Sequence, residues 1–264
     1  MGMSTSAMHV AKTGINAQQT RMQVIANNLA NVNTAGFKRD RVNFESLLYQ
    51  VHRNAGDQTS EATNLPSGLS VGTGVRVVNT QKLFTQGPLI NTDNSLDLAI
   101  EGEGFLQVLL PDGRFGYTRD GALSRDAEGS LVTSSGFVVQ PEIQVPDDIT
   151  SINISSDGVV SVLVAGQTQP QEIGSLQLAK FSNPRGLQPI GENFLVETPA
   201  SGAVVLGTPL QQGFGKIVQG SLENSNVNVV QQLVEMIETQ RAYEVSSKTI
   251  SSVDEMMRYI NNNL

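Results

Sequence analysis

The residues best able to do chemistry are few in this chain, and their spacing argues against most reactions. His9 and His52 are its only histidines. One falls in an N-terminal helical pattern and the other in a polar arm, so no zinc site or His-based triad can be built from them. Gly72-Thr73-Gly74 and Gly102-Glu103-Gly104 are lone G-x-G pairs. Neither is followed by the helix pattern that a phosphate or dinucleotide loop requires. Asp-Gly pairs recur, but the spaced D-x-D-x-D-G ligand set is missing and each Asp already has a turn role, so calcium is not expected. Glu101 and Glu103 point to one face of a strand, which by itself does not make the opposed carboxylates of a glycosidase. No catalytic constellation results. The expectation is a non-enzymatic protein with no catalytic residues, no cofactor and no metal.

Composition points the same way. Charged residues make up 16% of the 264 residues, against roughly 25% in ordinary soluble domains. Asn, Gln, Ser and Thr take up the difference. A surface poor in charge is weakly protected against association, which suits a protein surrounded by copies of itself. Net charge is −8, concentrated in the middle, where residues 40–226 hold 20 acids against 10 bases. Without a basic stripe to neutralise phosphates, nucleic acid is not an expected partner. No apolar run reaches membrane-spanning length, so direct membrane insertion is not expected. Lys12, Asn16, Gln18 and Gln19 interrupt any candidate signal sequence. Export, if it occurs, follows a route that does not read a Sec signal, and the absence of cysteine suits a chain that travels unfolded.

The ends of the chain carry its clearest pattern. Val229, Met236, Tyr243, Ile250 and Met257 recur seven apart, with Leu233, Val253 and Ile260 beside them. Met8, Ile15, Met22 and Leu29 repeat at the same interval, and Ala11, Ile25 and Val32 fill a second seam interrupted by Gln18. Both are coiled-coil stripes, too narrow to face a globular core. The two ends also complement each other in charge: residues 1–39 carry four bases and no acid, residues 227–264 five acids and three bases. Isolated helices of this length are marginal in water, so pairing is expected to supply their stability. The first helix should run from Ser4 to Asn33 and stop at Gly36 as a left-handed cap, with Gly14 allowing close packing. Ser225 and Asn226 are the expected N-cap of the second.

Between the helices the period changes. Phe37 to Val51 fits a short strand or a further helical turn, and Asn54 to Gly74, rich in Gly, Ser, Thr and Asn, reads as an extended arm reaching a neighbouring molecule. From Lys82 to Ala203, Asp112-Gly113, Asp120-Gly121, Glu128-Gly129 and Asp157-Gly158 separate short apolar runs. That is hairpin chemistry of the I′ type, predicting an antiparallel sandwich or partial barrel. Gly213 to Ser221 then returns as a strand. The fold class is therefore α+β: a discontinuous coiled-coil domain of N- and C-terminal helices (1–36 and 222–264), connecting arm and strands (37–81 and 204–221), and a central antiparallel β domain (82–203). The expected self-assembly interface is Met8, Ile15, Met22, Ile25, Leu29 and Val32 with Val229, Leu233, Met236, Tyr243, Ile250 and Met257.

The stretches VIANNLANVNTAGFKRDRVNFESLLYQ (24–50) and SNVNVVQQLVEMIETQRAYE (225–244) resemble the terminal signatures of the flagellar axial family, the rod and hook proteins of bacteria. The arm LPSGLSVGTGVR and the block DLAIEGEGFLQVLLPDGRFGYTRDGALSRDAEGSLVTSSGFVVQP are similar to its distal-rod members. His9 departs from the family, which often carries an aromatic residue there. The resemblance implies helical ends packed into a tube around an export channel, a β domain outside it, and torque transmission from motor to hook. It implies a homo-polymer whose partners are proximal rod proteins, the hook protein, the surrounding P-ring and L-ring proteins, a rod-capping protein and the flagellar type III export apparatus. The place implied is the basal body, spanning periplasm to outer membrane, after export without a cleaved signal. Carried over by motif, Asn27, Asn28, Leu29, Ala30, Asn31, Thr34, Gly36 and Phe37 would close the first helix and turn the chain outward. Gln240, Arg241 and Tyr243 would seat the second. The alternatives are a proximal rod or hook subunit, or a closed coiled-coil oligomer that displays a β-domain binding module.

Overall fold

The computed structural model describes residues 2–54, 58–60, 63–64, 67–167 and 169–262. It is α+β, with a helix at each end and antiparallel strands between them. Two compact units divide the chain: residues 1–29, 40–81 and 228–264 form one, residues 30–39 and 82–227 the other.

In the first unit, helix α1 spans Gly2–Ala30 and helix α2 spans Val229–Asn262. The expected run of α1 to Asn33 stops short. Thr34 donates its hydroxyl to Asn31 Oδ1 and its amide to the Asn31 carbonyl, the local bonding by which Asn and Thr compete with the helical ladder. The cap of α2 also differs from expectation: Asn228 Oδ1 accepts the Gln231 amide at 3.1 Å, satisfying an otherwise orphaned donor of the first turn. Ser225 and Asn226 have other work. Asn226 Oδ1 accepts the Arg39 amide at 2.8 Å, and its Nδ2 donates to the Leu83 and Thr85 carbonyls.

The remainder of this unit is an antiparallel ribbon, built over the stretch expected as connecting arm and strands. Asp40–Ser46 pairs with Val75–Lys82, Tyr49–Arg53 with Leu69–Gly72, and Gln58–Ser60 with Thr63–Asn64. Backbone groups of a lone extended chain have only water as partner, and pairing gives them each other. Residues 55–57, 61–62 and 65–66 of the expected arm lie outside the described residues. Thr13 Oγ1 of α1 accepts the Val75 amide at 3.3 Å, which fastens the ribbon's base to the helix.

The second unit holds the core. A seven-stranded antiparallel sheet runs Gln188–Gly191, Phe194–Val196, Phe115–Thr118, Phe105–Leu109, Leu178–Lys180, Val205–Gly207, with Val139–Gln140 also paired to Phe105–Leu109. Period-two alternation lets this sheet be covered on both faces. Leu106 and Val108 point into a large cluster with Ile152, Val160 and Val162 from the separate three-stranded meander 149–175. Phe105 joins Tyr117, Phe181 and Leu195 in a smaller aromatic cluster. Leu178 is wholly buried in the larger one. Leu178→Ala should therefore lower stability by about 2–5 kcal/mol through lost transfer energy and a residual cavity, read as a lower urea midpoint.

The turn chemistry is a partial departure from expectation. Gly113, Gly129 and Gly158 do close hairpins, but only the glycine of each pair takes positive φ. Around Asp157 the amide of Gly158 bonds the Ser155 carbonyl at 2.9 Å and Ser155 in turn bonds the Val159 carbonyl. A type I turn followed by a left-handed glycine, not a type I′ turn, gives this pattern. Asp120-Gly121 closes no hairpin: Gly121 lies against the Leu98 carbonyl, and the chain crosses there from one sheet to another.

Candidate assembly surface

The helical unit is short of core. Among the described residues its buried hydrophobic side chains are Ala11, Ala17, Ile25 and Val253, while Phe44, Leu48, Tyr49, Val51 and Leu69 of the ribbon and Val230, Leu233, Val234 and Ile237 of α2 are exposed. Among the described residues, both hydrophobic clusters belong to the other unit. Exposed apolar area on this scale marks an interaction surface.

The expected interface residues divide accordingly. Ile25 is 2% exposed; Met8, Ile15, Met22, Leu29 and Val32 are half-buried. Met236, Tyr243, Ile250 and Met257 are also half-buried, and Val229 and Leu233 are exposed. The Ile260 side chain lies outside the described residues. What α2 buries is a seam at the heptad interval that is polar at Gln232 and Thr239, continues through half-buried Ser246 and ends on apolar Val253. Asn28 Nδ2 donates to Gln232 Oε1 at 3.1 Å. Farther along, a Cβ on Gly14 would stand 3.7 Å from Ser246 Oγ, so the helices run side by side. Hydrophobic periodicity picks up Val253 and passes over the rest of the seam because Gln232, Thr239 and Ser246 are polar; their seven-residue spacing is the signal. Gln18, the polar interruption in α1, has a buried side-chain oxygen with no partner among the described residues.

The motif residues have individual placements. Asn28 is 2% exposed and fully used: its Oδ1 accepts the Asp40 amide at 2.8 Å and its Nδ2 donates to the Asp40 carbonyl at 2.9 Å. It ties the end of α1 to the start of the ribbon as well as to α2. Asn28→Ala should destabilise the helical unit by about 2 kcal/mol, because the Asp40 groups and Gln232 lose their partner together; faster exchange of the Asp40 amide would report it. Asn27, Ala30, Gln240 and Arg241 are exposed and Tyr243 is half-buried. Asn31 and Thr34 make the turn after α1, and Phe37 is buried with Lys82 Nζ 5.1 Å above its ring.

Beyond Phe37 lies a cluster that sequence reading did not find. Glu223 is 1% exposed. Its Oε1 accepts from Lys38 Nζ at 2.5 Å and from the Gly87 amide at 2.9 Å, and its Oε2 accepts from Arg119 at 3.2 Å. Lys38 also donates to the Thr85 carbonyl, and Arg119 to the Ile100 and Gly102 carbonyls. Burial holds the Lys38 pKa below the usual ammonium range, against the pull of Glu223. Burial likewise lowers Arg119. Separations of 185 and 104 residues between the partners leave no local signal in the sequence. Among the described residues no group of three or more His, Asp or Glu is placed to hold a metal, and no helix is long and apolar enough to cross a membrane.

Both core clusters lie in the β unit, and among the described residues the helical unit buries four hydrophobic side chains, Ala11, Ala17, Ile25 and Val253. Three family descriptions match in chain order: flagella basal body rod protein over residues 8–38, the flagellar hook protein FlgE/F/G D1 domain over residues 99–162, and the flagellar basal body rod FlgEFG protein C-terminal over residues 218–263. The chain is 54% identical to the flagellar basal-body rod protein FlgG of Buchnera aphidicola from Acyrthosiphon pisum, covering 96% of this chain and 97% of that one. It is 46% identical to the protein of that name in Caulobacter vibrioides over 96% and 97%, and 35% identical to that of Bacillus subtilis over 95% and 96%. The chain belongs to the flagellar rod and hook family, as a structural rod subunit.

Proposed function

We propose that the chain is a subunit of the distal rod, polymerising into a helical tube that carries torque from motor to hook and encloses the export channel. The observation that carries this reading is the small core of the helical unit among the described residues, with apolar side chains exposed along both α2 and the ribbon. Identical subunits that meet through two different surfaces of themselves form an interface that does not close, and so a filament. The self-assembly interface comprises the heptad residues of both helices together with the exposed apolar residues of α2. The ribbon reaches a neighbouring subunit and stiffens the tube, since a two-stranded hairpin with apolar residues exposed is marginal alone.

On this reading the subunit's role is mechanical, with no catalytic step. It leaves the cytoplasm through the flagellar type III apparatus without a cleaved signal, polymerises beneath a rod-capping protein, and lies between proximal rod and hook proteins inside the P-ring and L-ring. Limited proteolysis of the dilute protein, with mass spectrometry of what survives, tests the premise. Loss of both ends with survival of the β unit, residues 30–39 and 82–227, is the expected result. Survival of both ends in a discrete oligomer would favour a closed display module over a filament.

A further inference from the structure

The β unit is assembled from two pieces of chain, residues 30–39 and 82–227, and a buried ion cluster joins the first piece to the end of the second. Lys38 and Arg119 have side chains 4% and 7% exposed, and Glu223, fully buried, is the acid paired with both. Arg119 Nε is buried with no partner among the described residues. The segment carrying Glu223 makes other ties to the same places: its carbonyl accepts the Gly36 amide at 2.8 Å, and the Asn224 amide donates to the Pro88 carbonyl at 2.9 Å. Gly87 passes so near that a Cβ there would stand 2.0 Å from the Asn224 carbonyl oxygen. A sheet formed before residue 223 arrived would hold two neighbouring cations out of water with only carbonyl dipoles to face. A buried pair broken by removal of one partner is strongly destabilised, because the remaining charge is uncompensated.

We propose that Glu223 is a completion gate: the β unit cannot hold its fold until the chain is present as far as residue 223, almost the last residue of the unit. The gate keeps a partly delivered chain open and closes it only when nearly all of it is in place. Its value for passage through a narrow exporter rests on the export reading above; the gate itself is a property of the single chain.

The test uses the dilute full-length protein, so failure of assembly cannot be mistaken for failure of the gate. Protection of residues 82–220 against protease is followed through urea for the unaltered protein, Glu223→Leu, and Lys38→Met combined with Glu223→Leu. Glu223→Leu should raise the unfolded-to-folded ratio of the unit about a hundredfold or more. The double variant should recover at least about tenfold, because it removes one stranded cation. Equal loss in single and double variants would reduce Glu223 to ordinary packing and overturn the proposal. A second measurement follows nascent chains arrested with either Gly220 or Ser247 as the last residue outside the ribosome. Protection should appear only in the longer chain, and should weaken there about a hundredfold with Glu223→Leu. Protection already present at Gly220 would overturn the gate.

Discussion

Replacing Gly36 with alanine is expected to destabilise the β unit by about 2–4 kcal/mol and to abolish rod formation at concentrations where the unaltered protein assembles. Two effects add. Gly36 sits at φ +68°, where a side chain costs about 1–2 kcal/mol because its Cβ crowds the carbonyl. The space is also occupied by backbone: an added Cβ would stand 2.5 Å from the Asp120 nitrogen and 2.6 Å from the Arg119 carbonyl carbon. Neither can rotate away as a side chain would. Moving them displaces Arg119 from Glu223 and lengthens the bond from the Gly36 amide to the Glu223 carbonyl. Gly113 supplies the control. Its φ is +79° and nothing lies within 4 Å of an added Cβ, so Gly113→Ala should show the conformational cost alone, about 1 kcal/mol. Urea unfolding of the two variants, side by side, separates backbone strain from close approach. Equal midpoints would mean that the turn after α1 yields freely.

The parts of this protein legible from sequence are those specified by local repetition. The heptads of α1 and α2 announce two terminal helices, and glycine after Asp or Glu marks three real hairpins, at residues 113, 129 and 158. Finer features follow from competition between neighbours that a pattern does not weigh. Asn31 and Thr34 end α1 early by bonding each other, and Asn228 caps α2 because Asn226 is drawn to Arg39, Leu83 and Thr85. The extended arm expected over 54–74 carries no sign of its pairing, because its polar, glycine-rich composition resembles a loop while Leu69–Gly72 finds its partner in Tyr49–Arg53 across the whole stretch. Glu223, Lys38 and Arg119 were invisible for a related reason. A charged residue in sequence is ordinarily a solvated one, and only the fold brings these three into one dry place.

Aspartate at Leu233 and Ile237 together should leave the single subunit folded and prevent it from polymerising. Both side chains are exposed, at 44% and 51%, so the helical unit gives up little by losing them. They stand with Val229, Val230 and Val234 on the first turns of α2, away from the seam of Gln232 and Thr239 that is already buried within the chain. Covering a Leu or Ile side chain contributes about 1.5–3 kcal/mol, and a filament repeats that gain at every subunit. Substitution by aspartate removes it and asks the interface to bury an unpaired carboxylate, which costs several kcal/mol more. The concentration needed for assembly, measured by sedimentation and electron microscopy, should rise at least about a hundredfold, while circular dichroism and the urea midpoint of the dilute protein stay unchanged. Normal rods from the double variant would move the interface off this face, leaving the ribbon's Leu48, Tyr49 and Val51 as the surface that joins one subunit to the next. A variant that instead unfolds would show that these turns of α2 are held by contacts within the chain, and that the ends are ordered before assembly begins.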